Sequence, residues 1–265
     1  MTTPVVITRP HGPYAGAKHL EDALRAQGFS SFHLSVLVCE RLEISDDERA
    51  LLTELCAPGA VRWLVFLSPT AVAVFRDLLV SELSGANLPS SVQIAVQGVG
   101  SREVVRQCFS RDADFMPSVF VAEQFAEEFC ARVSSDARVL VAQSSEGRDV
   151  FGRTLVARGY RVATVQTYTT KAVTPAIHEI NHFLSICQGG ELFLLFMSPS
   201  AVNATVSALT SCEDSLRKAR IISVGPITSH AIRKHGLQVA AEATEHSEAG
   251  VVRALCQLTS KGYTE

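Results

Sequence analysis

The sequence predicts an α/β fold resting on mostly parallel sheets. Three features predict it. Short β-prone apolar runs alternate with longer amphipathic ones, each run is closed by Gly, Pro or Ser, and one strand–turn–helix unit is written twice.

The elements follow in order. A first strand is expected over 5–8. The segment ahead of it, Met1-Thr2-Thr3-Pro4, lacks the basic and long apolar stretches of an export signal. A helix over 19–27 carries Leu20, Ala23 and Leu24 on one face and stops at Gly28, where glycine supplies the left-handed turn a side chain resists. Strands are then expected over 31–38, 62–67, 92–96 and 113–116. A helix over 124–133 keeps Phe125, Phe129 and Val133 together, with acids in its first turns. The strand at 138–142 leads to a helix over 151–158 that stops at Gly159, as the first stops at Gly28. Strands over 161–168, 192–197, 221–224 and 238–241 complete the series. No Pro/Gly-rich linker divides the chain, so the joints are expected in two extended segments, 36–44 and 165–173.

A chain of 265 residues leans towards two domains, and 47% apolar with 19% charged residues is ordinary globular composition. The net charge of −3 argues against a nucleic-acid binder. It does not exclude small anions, which a few amides and arginines can hold on an acidic protein. The seven cysteines (Cys39, Cys56, Cys108, Cys130, Cys187, Cys212 and Cys256) are odd in number, widely spaced and without a C-x-x-C pair. They read as reduced thiols of a cytoplasmic protein rather than a zinc site or a disulfide framework. The apolar runs are too short to span a membrane.

The repeat is specific. Phe66-Leu67-Ser68-Pro69-Thr70-Ala71-Val72 matches Phe196-Met197-Ser198-Pro199-Ser200-Ala201-Val202 at five of seven positions, offset 130. Ile94 to Gly98 resembles Ile221 to Gly225, the glycines 127 apart, and Leu24 to Phe29 resembles Leu155 to Tyr160, offset 131. Three ordered matches at nearly one offset point to duplication. Each half holds about five strands, enough for one flavodoxin-like sheet. The halves can fold in tandem or exchange their first βα units, and periodicity does not separate the two.

In open parallel sheets ligands bind beyond the carboxyl ends of strands. The repeat places small polar turns there: Ser68-Pro69-Thr70 with Ser198-Pro199-Ser200, and Gly98-Val99-Gly100-Ser101 with Gly225-Pro226-Ile227-Thr228. Free amides at a helix N-terminus suit an anion. Plain helix capping explains any one turn, and four in matched pairs favour a ligand cleft. Arg9 and Arg148 each follow a strand and suit ligand carboxylates or salt bridges. His11 is expected in solvent, and His178 with His182 on a helix surface. Tyr168 lies on a joint segment, where a phenol can pack or donate a proton into a cleft. No G-x-S-x-G, H-E-x-x-H or Walker A sequence is present, and Gly98-Val99-Gly100 lacks the third glycine of a dinucleotide loop.

The ordered set Thr8-Arg9-Pro10, Ser68 to Val72, Glu146-Gly147-Arg148-Asp149, Val165 to Tyr168, Ser198 to Val202 and Val224 to Thr228 resembles the uroporphyrinogen-III synthase family over nearly the whole chain. Departures stand at Gln143-Ser144, where relatives commonly carry Arg-Gly, and at Gly100-Ser101, where they often carry Ala-Thr. The resemblance implies two flavodoxin-like domains, one inserted in the other, joined by a two-stranded connector: 1–36 plus 172–265, and 40–166. It places Arg9, Ser198 and Thr228 on one wall of a cleft, Ser68, Ser101 and Arg148 on the other, and Tyr168 near the hinge, with Gly225 also counted among the substrate-binding residues.

It also implies the reaction. Hydroxymethylbilane, a linear tetrapyrrole with eight carboxylates, loses its hydroxyl as water. It then closes through a spiro intermediate with the terminal ring inverted, giving uroporphyrinogen III. No cofactor or metal is implied, the substrate would come from hydroxymethylbilane synthase, and Tyr168 would assist departure of the hydroxyl. A monomer is expected, since no long exposed apolar helix face suggests a partner. Two other readings share the cleft: a two-domain binding protein or sensor without chemistry, and a nucleotide-dependent enzyme using 98–101 as a phosphate loop.

Overall fold

A computed structural model of the chain describes residues 3–10, 14, 18–57, 62–83 and 87–260. His11 lies outside them. In chain order the strands and helices begin with β1 (Pro4–Ile7), α1 (Lys18–Ala26), β2 (Ser30–His33), β3 (Leu37–Arg41) and α2 (Asp46–Cys56). Then come β4 (Arg62–Phe66), α3 (Pro69–Glu82), β5 (Val92–Val96), α4 (Val99–Phe109) and α5 (Ala122–Arg132). β6 (Arg138–Ser144), α6 (Val150–Ala157), β7 (Arg161–Ala172) and α7 (Ile177–Gln188) follow. The last are β8 (Phe193–Phe196), α8 (Pro199–Ala208), α9 (Glu213–Lys218), β9 (Arg220–Ser223), α10 (Pro226–Lys234), β10 (Val239–Glu242) and α11 (Glu248–Ser260).

The chain divides into two compact units. One is discontinuous, Met1–Cys39 with Lys171–Glu265; the other, Glu40–Thr170, is inserted in it. β3 and β7, neighbours in one sheet, carry the chain across the division. The discontinuous unit has the strand order β10-β9-β8-β1-β2, all parallel. The inserted unit has β5-β4-β6-β7-β3, with parallel pairing from β5 to β7.

The two orders are one order once the repeat is laid on them. β4 and β5 stand where β8 and β9 stand, and β6 and β7 stand where β1 and β2 stand. Each sheet therefore takes three strands from one half of the sequence and two from the other, which is the exchanged arrangement and not the tandem one. α1 and α6 end alike: Phe29 N–H donates to Leu24 O and Tyr160 N–H to Leu155 O, both 3.1 Å, around Gly28 and Gly159 at φ 79° and 87°. These are matching six-to-one helix terminations that need the left-handed glycine.

Two expected strands differ. The strand expected over 31–38 is broken in two, because Val36 N–H donates to Leu34 O across a three-residue turn. The strand expected over 113–116 is reduced to one bridge, Ala95 with Phe115. It stands in the place of β10, but the Asp114 carboxylate takes the Ile94 N–H at 2.7 Å, so a side chain replaces part of the ladder.

Both sheets are covered on their faces by helices. In the discontinuous unit, Leu194, Phe196 and Ile221 pack under α8 and α10, while Val5, Ile7 and Phe193 pack under α1 and α11. In the inserted unit, Trp63, Val65 and Val141 meet the ring cluster Phe115, Phe125, Phe129 and Phe151 beneath α5 and α6. All four of those rings are buried, and each removes apolar surface worth roughly 25 cal/mol per Å² from water.

Candidate active site

Parallel strands bring the loops that leave their carboxyl ends to one edge of each sheet. In the inserted unit that edge carries the turns after β4, β5 and β6 and the middle of β7. Ser68 is the N-cap of α3: its Oγ accepts from Ala71 N–H at 3.0 Å. The same Oγ lies 2.9 Å from the Tyr168 hydroxyl. One oxygen thus ends a helix and holds a phenol.

Tyr168 reaches that position because β7 carries a bulge. Gln143 pairs with Gln166, but the next residue of β6, Ser144, pairs with Tyr168, which leaves Thr167 as an extra residue. One inserted residue shifts the side-chain alternation by one. Thr167 and Tyr168 are therefore both buried, Thr167 with its Oγ on Gln143 O at 3.2 Å.

Glu146 braces the same corner, and nothing in the sequence marked it beyond its place in a motif. Its carboxylate accepts from Ser144 Oγ (2.7 Å), Ser145 Oγ (2.9 Å), Thr170 N–H (3.0 Å) and the Thr169 hydroxyl. Burial pushes the carboxyl up, and hydrogen bonds led by Thr169 and Ser144 outweigh it, holding the group at about 2. The 144–147 turn is therefore tied to β7 two residues beyond the phenol.

The Gly98 and Gly225 turns are matched as well. Each glycine is an N-cap in extended conformation with no side-chain cap bond. Intrahelical bonding starts only where Arg102 N–H donates to Gly98 O and Ser229 N–H to Gly225 O. The amides ahead of those points sit at the positive end of the helix dipole. Ser101 and Thr228 are in the first turns but buried, so their side chains are packed and the turn presents backbone. α3 and α4 begin side by side, since a Cβ on Gly100 would lie 3.3 Å from Pro69 Cγ.

An aromatic side chain from the loop after the fifth strand position lies over each N-cap glycine. Against Gly98 it is Phe120, whose carbonyl also accepts from Gln97 Nε2 at 3.2 Å. Against Gly225 it is His246. Neither was singled out from the sequence, because each closes on its glycine across some 20 residues and no local pattern records it.

In the discontinuous unit Ser198 caps α8 through Ala201 N–H at 3.2 Å, and no phenol accompanies it in that bond. Arg9 follows β1 and is ion-paired with Glu248 in the first turn of α11, while His33 Nε2 donates to Arg9 O at 2.7 Å. Arg9 is thus held by a salt bridge. Arg148 is 71% exposed, lies 3.8 Å from Glu123, and borders an open groove of about 690 Å³ along α6 with Arg153 and Arg158. The structure brings Ser68 and Tyr168 into contact and sets the Gly98 turn beside them; Arg148 stands apart over α6.

His178 and His182 lie exposed on α7, His182 edge-on to Phe32. None of the seven cysteines forms a disulfide. Among the described residues no three metal-binding side chains converge, and no helix is long and apolar enough to cross a membrane.

Comparison with known proteins gives one family. The family model described as uroporphyrinogen-III synthase HemD matches residues 18–253. The chloroplastic uroporphyrinogen-III synthase of Oryza sativa subsp. japonica is 27% identical over 239 residues, 88% of this chain and 73% of the relative. Among solved structures, uroporphyrinogen-III synthetase of Helicobacter pylori superposes with TM-score 0.58 at 14% identity, covering 97% of this chain and 100% of the other. A mutant uroporphyrinogen III synthase of the extreme thermophile Thermus thermophilus gives 0.55 at 13% identity, covering 98% and 100%. These two structures carry the same two-domain α/β fold.

Proposed function

We propose that this chain, which belongs to the uroporphyrinogen-III synthase family, is a lyase that cyclises hydroxymethylbilane to uroporphyrinogen III in tetrapyrrole biosynthesis. The observation that carries the site assignment is the Ser68–Tyr168 hydrogen bond at a sheet's carboxyl edge, beside an uncapped helix N-terminus.

The substrate is reactive and closes without help to the wrong isomer. The protein's task is to hold one folded conformer and steer one attack. Backbone amides at the starts of α4 and α10, with those of the Ser68 and Ser198 turns, suit carboxylates without requiring strong acids or bases. Arg148 adds a flexible cation, and Arg9 contributes through the shape of the β1 turn as much as through charge.

Tyr168 delivers a proton to the departing hydroxyl, which leaves as water. As the phenol loses its proton, the Ser68 hydroxyl donates to the phenolate oxygen, while Ser68 Oγ accepts from the Ala71 N–H. Such assistance is worth about 10–100-fold, at or below the usual range for acid catalysis. Cysteines outside any disulfide are in keeping with a cytoplasmic setting, and supply of the substrate by hydroxymethylbilane synthase with action as a monomer belong to the same reading.

Turnover of freshly prepared hydroxymethylbilane tests the reading. An excess of isomer III over the spontaneous isomer I is expected; its absence would leave a binding protein.

A further inference from the structure

We propose that the amino edge of the inserted unit's sheet holds a second site, for a small carboxylate with an apolar tail. Three neighbouring parallel strands, β4, β6 and β7, each begin with arginine. The three are in register: Arg62 pairs with Arg138, and Arg138 with Arg161. With strands about 4.8 Å apart, three guanidinium groups start within about 10 Å of one another, an arrangement that repels itself unless counter-charge is supplied.

Among the described residues the ion pairs of these arginines go to one carboxylate. Glu54 of α2 is ion-paired with Arg138 and lies 3.8 Å from Arg62, whose Nη1 also donates to Ala57 O at 3.1 Å. Arg161 forms no ion pair or side-chain hydrogen bond among the described residues. The cluster keeps an excess of two positive charges on a protein of net charge −3.

The charge faces an open groove. About 280 Å³ is bordered by the three arginines, Glu54, and the apolar side chains Leu51 and Leu55 of α2. That volume is at the small end of ligand sites and suits a chain of about six to eight heavy atoms. A carboxylate would sit between Arg138 and Arg161, and an alkyl tail would lie along Leu51 and Leu55. The strands in the same places of the other unit, β8, β1 and β2, begin with Phe193, Pro4 and Ser30. The cluster therefore belongs to this unit and is not a requirement of the fold.

The site lies at the opposite edge from Tyr168, so it does not depend on the proposed reaction. Calorimetric titration of the full chain with acetate, butyrate, hexanoate and octanoate, at constant ionic strength, tests it. Saturable one-to-one binding is expected, tightening about three- to fourfold per added methylene. Arg161→Gln is expected to weaken hexanoate at least about tenfold, as loss of a charge-assisted bond does. Arg161 is exposed, so its variant should keep its melting temperature; Arg138→Gln serves as a second variant. Affinity independent of tail length, or undiminished hexanoate binding in both variants, would overturn the proposal; the latter would place the anion at the carboxyl edge instead.

Discussion

Ser68 and Ser198 begin equivalent helices after equivalent strands, with matching backbone (φ −155° and −161°) and the same bond to the third amide. Only Ser68 also holds a phenol. The difference comes from β7, which runs on past the point where β2 stops and bulges at Thr167; β2 is four residues long and β7 twelve. The repeat gives two edges of matching turns, and an extension with one extra residue sets a phenol against one of them. Strand length and register distinguish the two edges, while the serine turn is the same in both.

That asymmetry is open to test in activity first. Tyr168→Phe should lower kcat about 10–100-fold and shift product towards isomer I, measured by separating the isomers after turnover. Ser68→Ala should lower kcat in the same direction, and the double variant should be little worse than Tyr168→Phe alone. Additive losses would mean that Ser68 acts on substrate independently of the phenol.

Stability sharpens the same comparison. Removing either serine deletes a helix cap, which costs about 1 kcal/mol. Ser68→Ala should cost about 1 kcal/mol more than Ser198→Ala, because the buried phenol also loses a partner. Denaturant unfolding of the two variants measures the gap; equal losses would make the hydroxyl pair energetically idle.

The glycine pair separates further. A Cβ at Gly225 would lie 2.8 Å from His246 Cδ2, whereas at Gly98 the nearest atom, Phe120 Cγ, is at 3.5 Å, ordinary contact. Both backbones are extended, so conformational strain plays no part. Gly225→Ala should cost about 1 kcal/mol as the exposed imidazole swings aside, and Gly98→Ala less than about 0.5 kcal/mol, read from melting temperatures.

Glu146 stands apart by the pH dependence of its effect, its carboxyl held at about 2 against an ordinary value near 4.3. A carboxyl depressed in the folded state stabilises above its unfolded value and loses that contribution as pH falls towards 2. The stability advantage over Glu146→Gln should be constant above about pH 5 and close between about pH 4.5 and 2. Solvent exposure limits it to less than about 1 kcal/mol. A gap that stays open at pH 2 would contradict the assigned hydrogen bonds.

The repeat was legible because duplication left local sequence intact: strand, Ser-Pro turn and helix are contiguous, so periodicity and turn chemistry report them. The exchange of βα units was visible only through family resemblance, since pairing of Val5 with Phe193 has no local signature. Phe115 looked like part of a strand because residues 113–116 are β-prone, and a carboxylate competing for the Ile94 amide decided otherwise. Arg9 and Arg148 illustrate the same limit at the site. Both stand after strands, but whether a guanidinium is ion-paired, as with Glu248, or extended into solvent depends on residues far along the chain. Tyr168 was singled out for its place on a joint; its burial came from a bulge that no residue type announces.

The interleaving of the two halves also sets a timetable for synthesis. The inserted unit has all its strands once residue 170 has left the ribosome, and it can close while the rest is still being made. β1 is made long before its neighbour β8, which begins at Phe193. At roughly 10 residues per second, β1 and β2 wait on the order of 20 s for the strand that buries them. During nascent growth Val5-Val6-Ile7 is therefore in need of shielding until the later-made β8 and α11 arrive to cover it.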